Sequence, residues 1–259
     1  MKYIIFYLIL IHYLDAARID FVERHLSRDT KVKIYWALWG GDLYNDVLAS
    51  KGYEVYYRRE WISTIKSKIK KLVFSVVAVP DAQELTVRKK LNFISKKVDY
   101  ILTSEAEFKI LIKHLGMSIR AECISSGPIY YPIEDVLGTL MGKYVEGNNI
   151  MIGNSASFTN NHLYAMEFLS RLDTTGRKKY VPLSYGGSPR YIRSVVRNGM
   201  RFFDGEFKPL NDFMPLDAYN RLMLSNNVYI YGNWRQEAVG NIVIALYLGA
   251  KVFVSEKSP

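Results

Sequence analysis

The residues from Tyr229 to Asn241, Tyr-Ile-Tyr-Gly-Asn-Trp-Arg-Gln-Glu-Ala-Val-Gly-Asn, gather groups that bind an anion, and the apolar run Ile242 to Leu248 follows them. The order reads as a buried strand, a polar loop and a helix opening at about Ala238 to Gly240. That places free backbone N–H groups and the positive end of a helix dipole at the carboxyl end of a strand. Gly240 lets a ligand come close to the backbone, and Asn241 adds a side-chain donor. Arg235 and Gln236 reach the same anion, the arginine with a two-pronged geometry suited to phosphate. The stretch predicts a diphosphate cradle; an ordinary strand–helix turn with a surface arginine is the plainer alternative.

A second stretch, Trp39-Gly40-Gly41-Asp42-Leu43-Tyr44, follows the apolar segment Lys31 to Leu38. Two glycines turn the chain sharply at the end of a strand, and Asp42 falls where a helix begins. Asp42 is either a carboxylate facing a ligand, able to act as general base, or the N-cap of a helix over Leu43 to Lys51. Both roles are compatible.

The elements that must hold these stretches alternate along the chain. Tyr3 to Ile11 is too short to span a bilayer, which takes roughly 20 residues, and predicts a buried first strand rather than a signal-peptide core. A helix over Asp15 to Arg24, the strand Lys31 to Leu38 and a basic amphipathic helix over Ile62 to Phe74 follow. Lys66, Lys68, Lys70 and Lys71 of that helix suit an anionic membrane surface, or simply a solvated face on a core-packed helix. Next come a helix over Asp81 to Lys97, a strand over Val98 to Thr103, a helix capped by Ser104 and a strand over Ala121 to Ile124. The glycines Gly138, Gly142 and Gly147 break up an aperiodic stretch, which sets a domain boundary at about residue 140. Gly138 to Lys143 lacks the spacing and the Ser/Thr of a phosphate loop.

The second half restarts with the strand Asn149 to Ile152, the loop Gly153-Asn154-Ser155 and a helix over Asn161 to Leu172. A strand over Tyr180 to Leu183 enters the loop Ser184 to Pro189. A helix over Tyr191 to Asn198 then ends at Gly199 as its C-cap, and a short strand covers Arg201 to Phe203. A helix over Leu216 to Leu224, the cradle stretch and a strand over Lys251 to Val254 complete the pattern. Strand–helix alternation in both halves predicts an α/β protein of two parallel-sheet domains, 1–140 and 141–259. Three loops of the second half should then meet at one sheet edge, forming a nucleotide-sized site.

Composition narrows the partners. A net charge of +10 and a pI of about 9.4 call for something anionic: nucleic acid, a membrane surface or a phosphorylated ligand. The basic residues are spread over many segments with no nucleic-acid recognition motif, so nucleic acid ranks last. The single cysteine, Cys123, excludes an internal disulfide. Four scattered histidines give no metal-site spacing, and no resident cofactor is called for.

With these loops in place the chain resembles glycosyltransferase family 56 over nearly its whole length. The resemblance is carried by Tyr35 to Tyr44, by Ile152-Gly153-Asn154-Ser155 with Asn160 and His162, by Val181-Pro182 with Tyr185, and by Arg235-Gln236 with Gly240. It implies a GT-B fold of two Rossmann-like domains facing a cleft and a nucleotide-sugar donor, dTDP-linked in the best-known case. It further implies a lipid-diphosphate-linked glycan acceptor in bacterial surface polysaccharide synthesis, and a peripheral site on the cytoplasmic face of the inner membrane. The transfer would be inverting and metal-independent, moving a dideoxy-acetamido sugar. Asp42 would be its base, with His12, Trp39, Gly40, Gly41 and Tyr44 on the acceptor side. The donor would meet Gly153, Asn154, Ser155, Asn160, His162, Pro182, Tyr185, Arg235, Gln236, Gly240 and Asn241. Family members carry more chain before the first strand and after Pro259, so the resemblance also implies a chain short at both ends. The alternative from another class is a nucleotide- or glycan-lipid-binding module without catalysis.

Overall fold

The computed structural model describes residues 8–26, 31–57, 82–116, 118–125 and 132–259. They divide into two compact units, each built on its own all-parallel sheet.

The first unit runs β1 (Leu8–His12), α1 (Ala16–His25), β2 (Lys33–Ala37), α2 (Gly41–Leu43), α3 (Ala82–Lys96), β3 (Tyr100–Leu102), α4 (Glu105–Leu115) and β4 (Glu122–Ile124). α2 continues into π-helical turns over Tyr44–Leu48. The sheet order is β1-β2-β3-β4, so each crossover steps one strand over. Asp15 starts α1 by accepting a bond from the Arg18 amide at 2.8 Å, and Ser104 starts α4 in the same way on Glu107. Trp36, Leu43, Tyr44, Leu48, Phe93 and Ile101 are buried in its core. The described part of the first strand departs from the buried strand expected. Among the described residues β1 pairs with β2 alone and lies at the edge of the sheet, with Leu8 and Leu10 exposed. Its expected start, and the basic helix expected over Ile62 to Phe74, lie outside the described residues.

The second unit takes in Tyr56, Tyr57 and the chain from residue 132 to 258. It runs α5 (Ile133–Leu137), β5 (Asn149–Ile152), α6 (His162–Leu169), β6 (Lys179–Pro182), α7 (Pro189–Phe203), β7 (Phe207–Leu210), α8 (Leu216–Leu224), β8 (Asn226–Tyr231), α9 (Val239–Tyr247) and β9 (Lys251–Val254). α5 packs Ile133, Val136 and Leu137 into the same core as Met223, Tyr229 and Leu248, so this unit begins ahead of residue 141. The sheet order is β7-β6-β5-β8-β9. α6 and α7 cover one face, through Met166, Leu169, Tyr191 and Val195. α5, α8 and α9 cover the other.

One stretch differs from expectation. α7 does not stop at Gly199 but runs on to Phe203, and the strand follows at Phe207–Leu210 rather than over Arg201 to Phe203. Gly199 is a packing glycine: a β-carbon there would stand 2.2 Å from the Phe207 ring. The helix needs its glycine to lie against β7, not to end.

No helix among the described residues is long and apolar enough to cross a membrane.

Candidate functional site

In the second sheet the chain leaves β5 toward β6 on one side and returns to β8 on the other. The crevice at such a reversal, at the carboxyl ends of the strands, is where open α/β sheets bind ligands. The loops after β5, β6 and β8 are tied together there. The Ala156 amide donates to the Tyr185 carbonyl at 2.7 Å, Asn161 Nδ2 to the Gly232 carbonyl at 2.7 Å, and Asn233 Nδ2 to the Thr159 carbonyl at 3.1 Å. Gly153, with φ +73°, leaves no room for a side chain, since a β-carbon would meet His162 Nε2 at 2.7 Å and Asn160 Oδ1 at 2.8 Å.

A pocket of about 220 Å³ opens at this edge, lined by Asn154, Pro182, Tyr185, Phe213, Tyr219 and Asn241 among others. That is smaller than the roughly 300–1,000 Å³ of complete small-molecule sites, and fits one moiety of a larger ligand. Asn241 lies in the first turn of α9, and Gly240 beside it has open space where a side chain would be. The glycine leaves no side chain there to keep a ligand from the first-turn amides of α9. Ala238 precedes them in the left-handed region at φ +62°, a strained setting for a residue with a β-carbon. Partial desolvation and the nearby Glu237 charge push the Tyr185 hydroxyl's pKa up, against the pull of a hydrogen bond with Asn154.

Behind the pocket is a polar knot centred on Glu237. Arg235 Nη2 pairs with its carboxylate at 3.0 Å, Asn233 Nδ2 donates to it at 2.8 Å, and the Thr159 hydroxyl donates to it as well. Arg235 is buried, with its Nε lacking a hydrogen-bond partner among the described residues. Asn160 is fully buried, donating to Ser155 Oγ at 3.1 Å and accepting from the Asn154 amide at 2.9 Å. His162 is fully buried too. Its Nδ1 lies 3.1 Å from the Tyr191 hydroxyl, and burial lowers its pKa to about 3, so the ring is neutral.

At the carboxyl edge of the first sheet, Asp42 is enclosed. Its carboxylate accepts from the Leu14 amide at 2.9 Å, Trp36 Nε1 at 2.7 Å and the Trp39 amide at 3.1 Å. Burial pushes its pKa up, against the pull of those donors. Gly40, at φ +79°, is the residue that caps α2, and Asp42 sits two residues on, within the first turn. The carboxylate expected as a base is thus a clamp on three backbone and indole N–H groups, with no exposed surface. Tyr44 is buried as well. His12 and Trp39 are exposed, with Trp39 Nε1 3.4 Å from His12 Nδ1. Gly41 packs beside the Tyr13 ring.

The 4-alpha-L-fucosyltransferase model of glycosyl transferase group 56 matches residues 120–259, more than half of the chain. The chain belongs to glycosyl transferase group 56. Among solved structures, sucrose-phosphate synthase from Thermosynechococcus elongatus is similar to this group 56 chain with a TM-score of 0.58 at 13% identity, over 97% of this chain and 56% of that one. A glycosyltransferase from Rickettsia africae ESF-5 matches at 0.49 and 12% identity, over 93% and 61%. Anabaena Alr3699/HepE, in complex with UDP and glucose, matches at 0.47 and 14%, over 96% and 73%. The likeness to the synthase gives the fold class, GT-B, and the group 56 chain spans about half of that protein's length.

The structure of the group 56 chain brings Asn154, Pro182, Tyr185 and Asn241 to the pocket, with Gly240 at its side. It sets Gly153, Ser155, Asn160 and His162 behind the lining, where they shape the loops, and turns Arg235 onto Glu237. Gln236 is half-buried between Arg235 and Glu237 in the chain, and its carbonyl lies 3.5 Å from Arg235 Nη1. Sequence reasoning missed Glu237, Thr159 and Asn233, and also Phe213 and Tyr219 of the pocket. The alternation Asn233, Arg235, Glu237 was the available signal. Among the described residues no three His, Cys, Asp or Glu side chains stand close enough to hold a metal ion.

Proposed function

We propose that the protein transfers a sugar from a nucleoside diphosphate sugar to a hydroxyl of a lipid-linked glycan. The observation that carries this reading is the pocket at the chain reversal of the second sheet, open to the first turn of α9 through Gly240 and Asn241. The acceptor hydroxyl attacks the anomeric carbon, the bond to the diphosphate breaks, and the hydroxyl loses its proton to a base. Negative charge grows on the leaving diphosphate, and the α9 amides with Asn241 are positioned to take it up. We assign the apolar pocket beside them to one ring of the donor, with the Tyr185 hydroxyl as a donor at its rim.

Group 56 membership supports a glycosyl transfer, and the resemblance favours a dTDP-linked dideoxy-acetamido donor, inversion at the anomeric carbon without a metal, and a membrane-bound acceptor on the cytoplasmic face. Asp42 is not our base, since its lone pairs are turned inward. His12, exposed at the end of β1, is our candidate for positioning the acceptor. With the Trp39 indole N–H toward Nδ1, its Nε2 is the nitrogen that offers a hydrogen bond outward.

Calorimetric titration of the purified chain with dTDP, UDP and GDP tests the donor reading, with Asn241→Ala and Tyr185→Phe as the variants. One diphosphate should bind selectively, and Asn241→Ala should weaken it roughly tenfold, the worth of one good hydrogen bond to a charged group. Arg235→Ala is the wrong probe, because it strands the Glu237 carboxylate and mixes lost folding with lost binding. A folded chain that binds none of the three overturns the reading. Binding without transfer of the matching sugar to a lipid-linked acceptor would instead point to a binding module.

A further inference from the structure

α7 carries Arg190, Arg193, Arg197 and Arg201, all exposed, at spacings of three and four that bring them to one side of the helix. Tyr191, Val195, Gly199 and Phe203 are buried on the other. α7 contains no Asp or Glu, and none of the four guanidinium groups has an ion pair among the described residues. Beside it on the same sheet face lies α6, sharing the core formed by Met166, Leu169, Tyr191 and Val195. The outer side of α6 exposes Phe168 at 56%, and Leu172 just beyond it at 52%; Met200 of α7 is exposed at 48%. The only acid of α6, Glu167, reaches Arg171 at 3.3 Å. The α6–α7 side of the sheet thus turns to solvent a row of arginines without ion pairs among the described residues, Arg201 lying 4.9 Å from the centre of the Phe202 ring, together with three large apolar side chains.

We infer that this α6–α7 face docks on an anionic lipid bilayer, the arginines on headgroup phosphates and Phe168, Leu172 and Met200 at the acyl boundary. Guanidinium forks suit phosphate oxygens, and exposed apolar side chains on the same side of the sheet gain by entering an interface rather than by lying along a nucleic-acid backbone. The inference deepens the membrane side of the reading above by naming the surface, and it needs neither donor nor acceptor to be known.

The test is co-sedimentation of the full chain with vesicles of phosphatidylcholine alone and of phosphatidylcholine mixed with phosphatidylglycerol. The variants are the quadruple change Arg190→Gln, Arg193→Gln, Arg197→Gln, Arg201→Gln and the pair Phe168→Ser, Leu172→Ser. We expect binding to the anionic vesicles only, weakening as salt rises, and a partition coefficient lower by roughly fivefold for each arginine removed. The serine pair should also weaken binding while leaving the salt dependence in place. Parent binding that the quadruple variant retains in full would overturn the inference, because the contact would then lie elsewhere, for instance in residues 62–74. So would no binding to anionic vesicles, or tighter binding to a mixed-sequence oligonucleotide than to vesicles. Thermal melts and a dTDP titration of the same samples read folding and the donor site separately.

Discussion

Asp42 accepts from two backbone amides and one indole, and each of those donors loses its partner if the carboxylate changes shape. Asp42→Asn keeps the volume but offers an NH₂ where N–H donors converge. It should cost about 1–3 kcal/mol of stability by urea unfolding, more than the loss of a simple helix cap would explain. His162 makes a second residue-level prediction. Its folded pKa of about 3 lies below the ordinary 6.5. Between those values the unfolded chain binds a proton that the folded chain refuses, so stability falls as the pH drops through that window. The slope is roughly 1.4 kcal/mol per pH unit, and the term vanishes above pH 6.5. His162→Gln should flatten the fall in melting temperature between pH 6.5 and 4.5 relative to the parent; an unchanged profile would mean that other groups set the acid limit.

Gly199 decides a question that belongs to elements. In an exposed helix interior, glycine to alanine stabilises by roughly 0.5–1 kcal/mol. Here the added methyl meets the Phe207 ring of β7, so Gly199→Ala should destabilise by about 1–3 kcal/mol, and Phe207→Leu should recover part of the loss. A stabilised Gly199→Ala would show that α7 and β7 can move apart. The same residue shows what could be read from the chain alone. α8 at Leu216–Leu224 and β5 at Asn149–Ile152 have the bounds that hydrophobic periodicity predicts, because local pattern and tertiary burial agree there. Gly199 follows Asn198 and carries the local signature of a helix end; only Phe207, brought in by the next strand, distinguishes packing from capping. The site divides in the same way. Glycine and asparagine at strand ends mark the pocket edge from sequence. The knot on Glu237 shows only in part, through the alternation Asn233, Arg235, Glu237, since Thr159 and Asn160 come to it from another loop. The enclosure of Asp42 does not show, since it depends on Leu14 and Trp36 closing over it.

Over the whole molecule the two sheets give the donor different prospects. If the diphosphate binds at α9, amide hydrogen exchange should slow in the loops after β5, β6 and β8 and in the first turn of α9 when dTDP is added, and stay unchanged in β1 to β4. Protection confined to the first sheet would place the nucleotide elsewhere. The strand order of the second sheet also sets a timetable for synthesis. β5 is its central strand, yet the chain first supplies β6 and β7, which extend only one side. The other side waits until β8 ends at Tyr231, well after α7 has been made. On the ribosome, a half-sheet of β5, β6 and β7 would therefore stand with the open hydrogen-bonding edge of the strand destined for the centre facing outward. A nascent chain stalled before Tyr231 offers that edge to any other strand it meets.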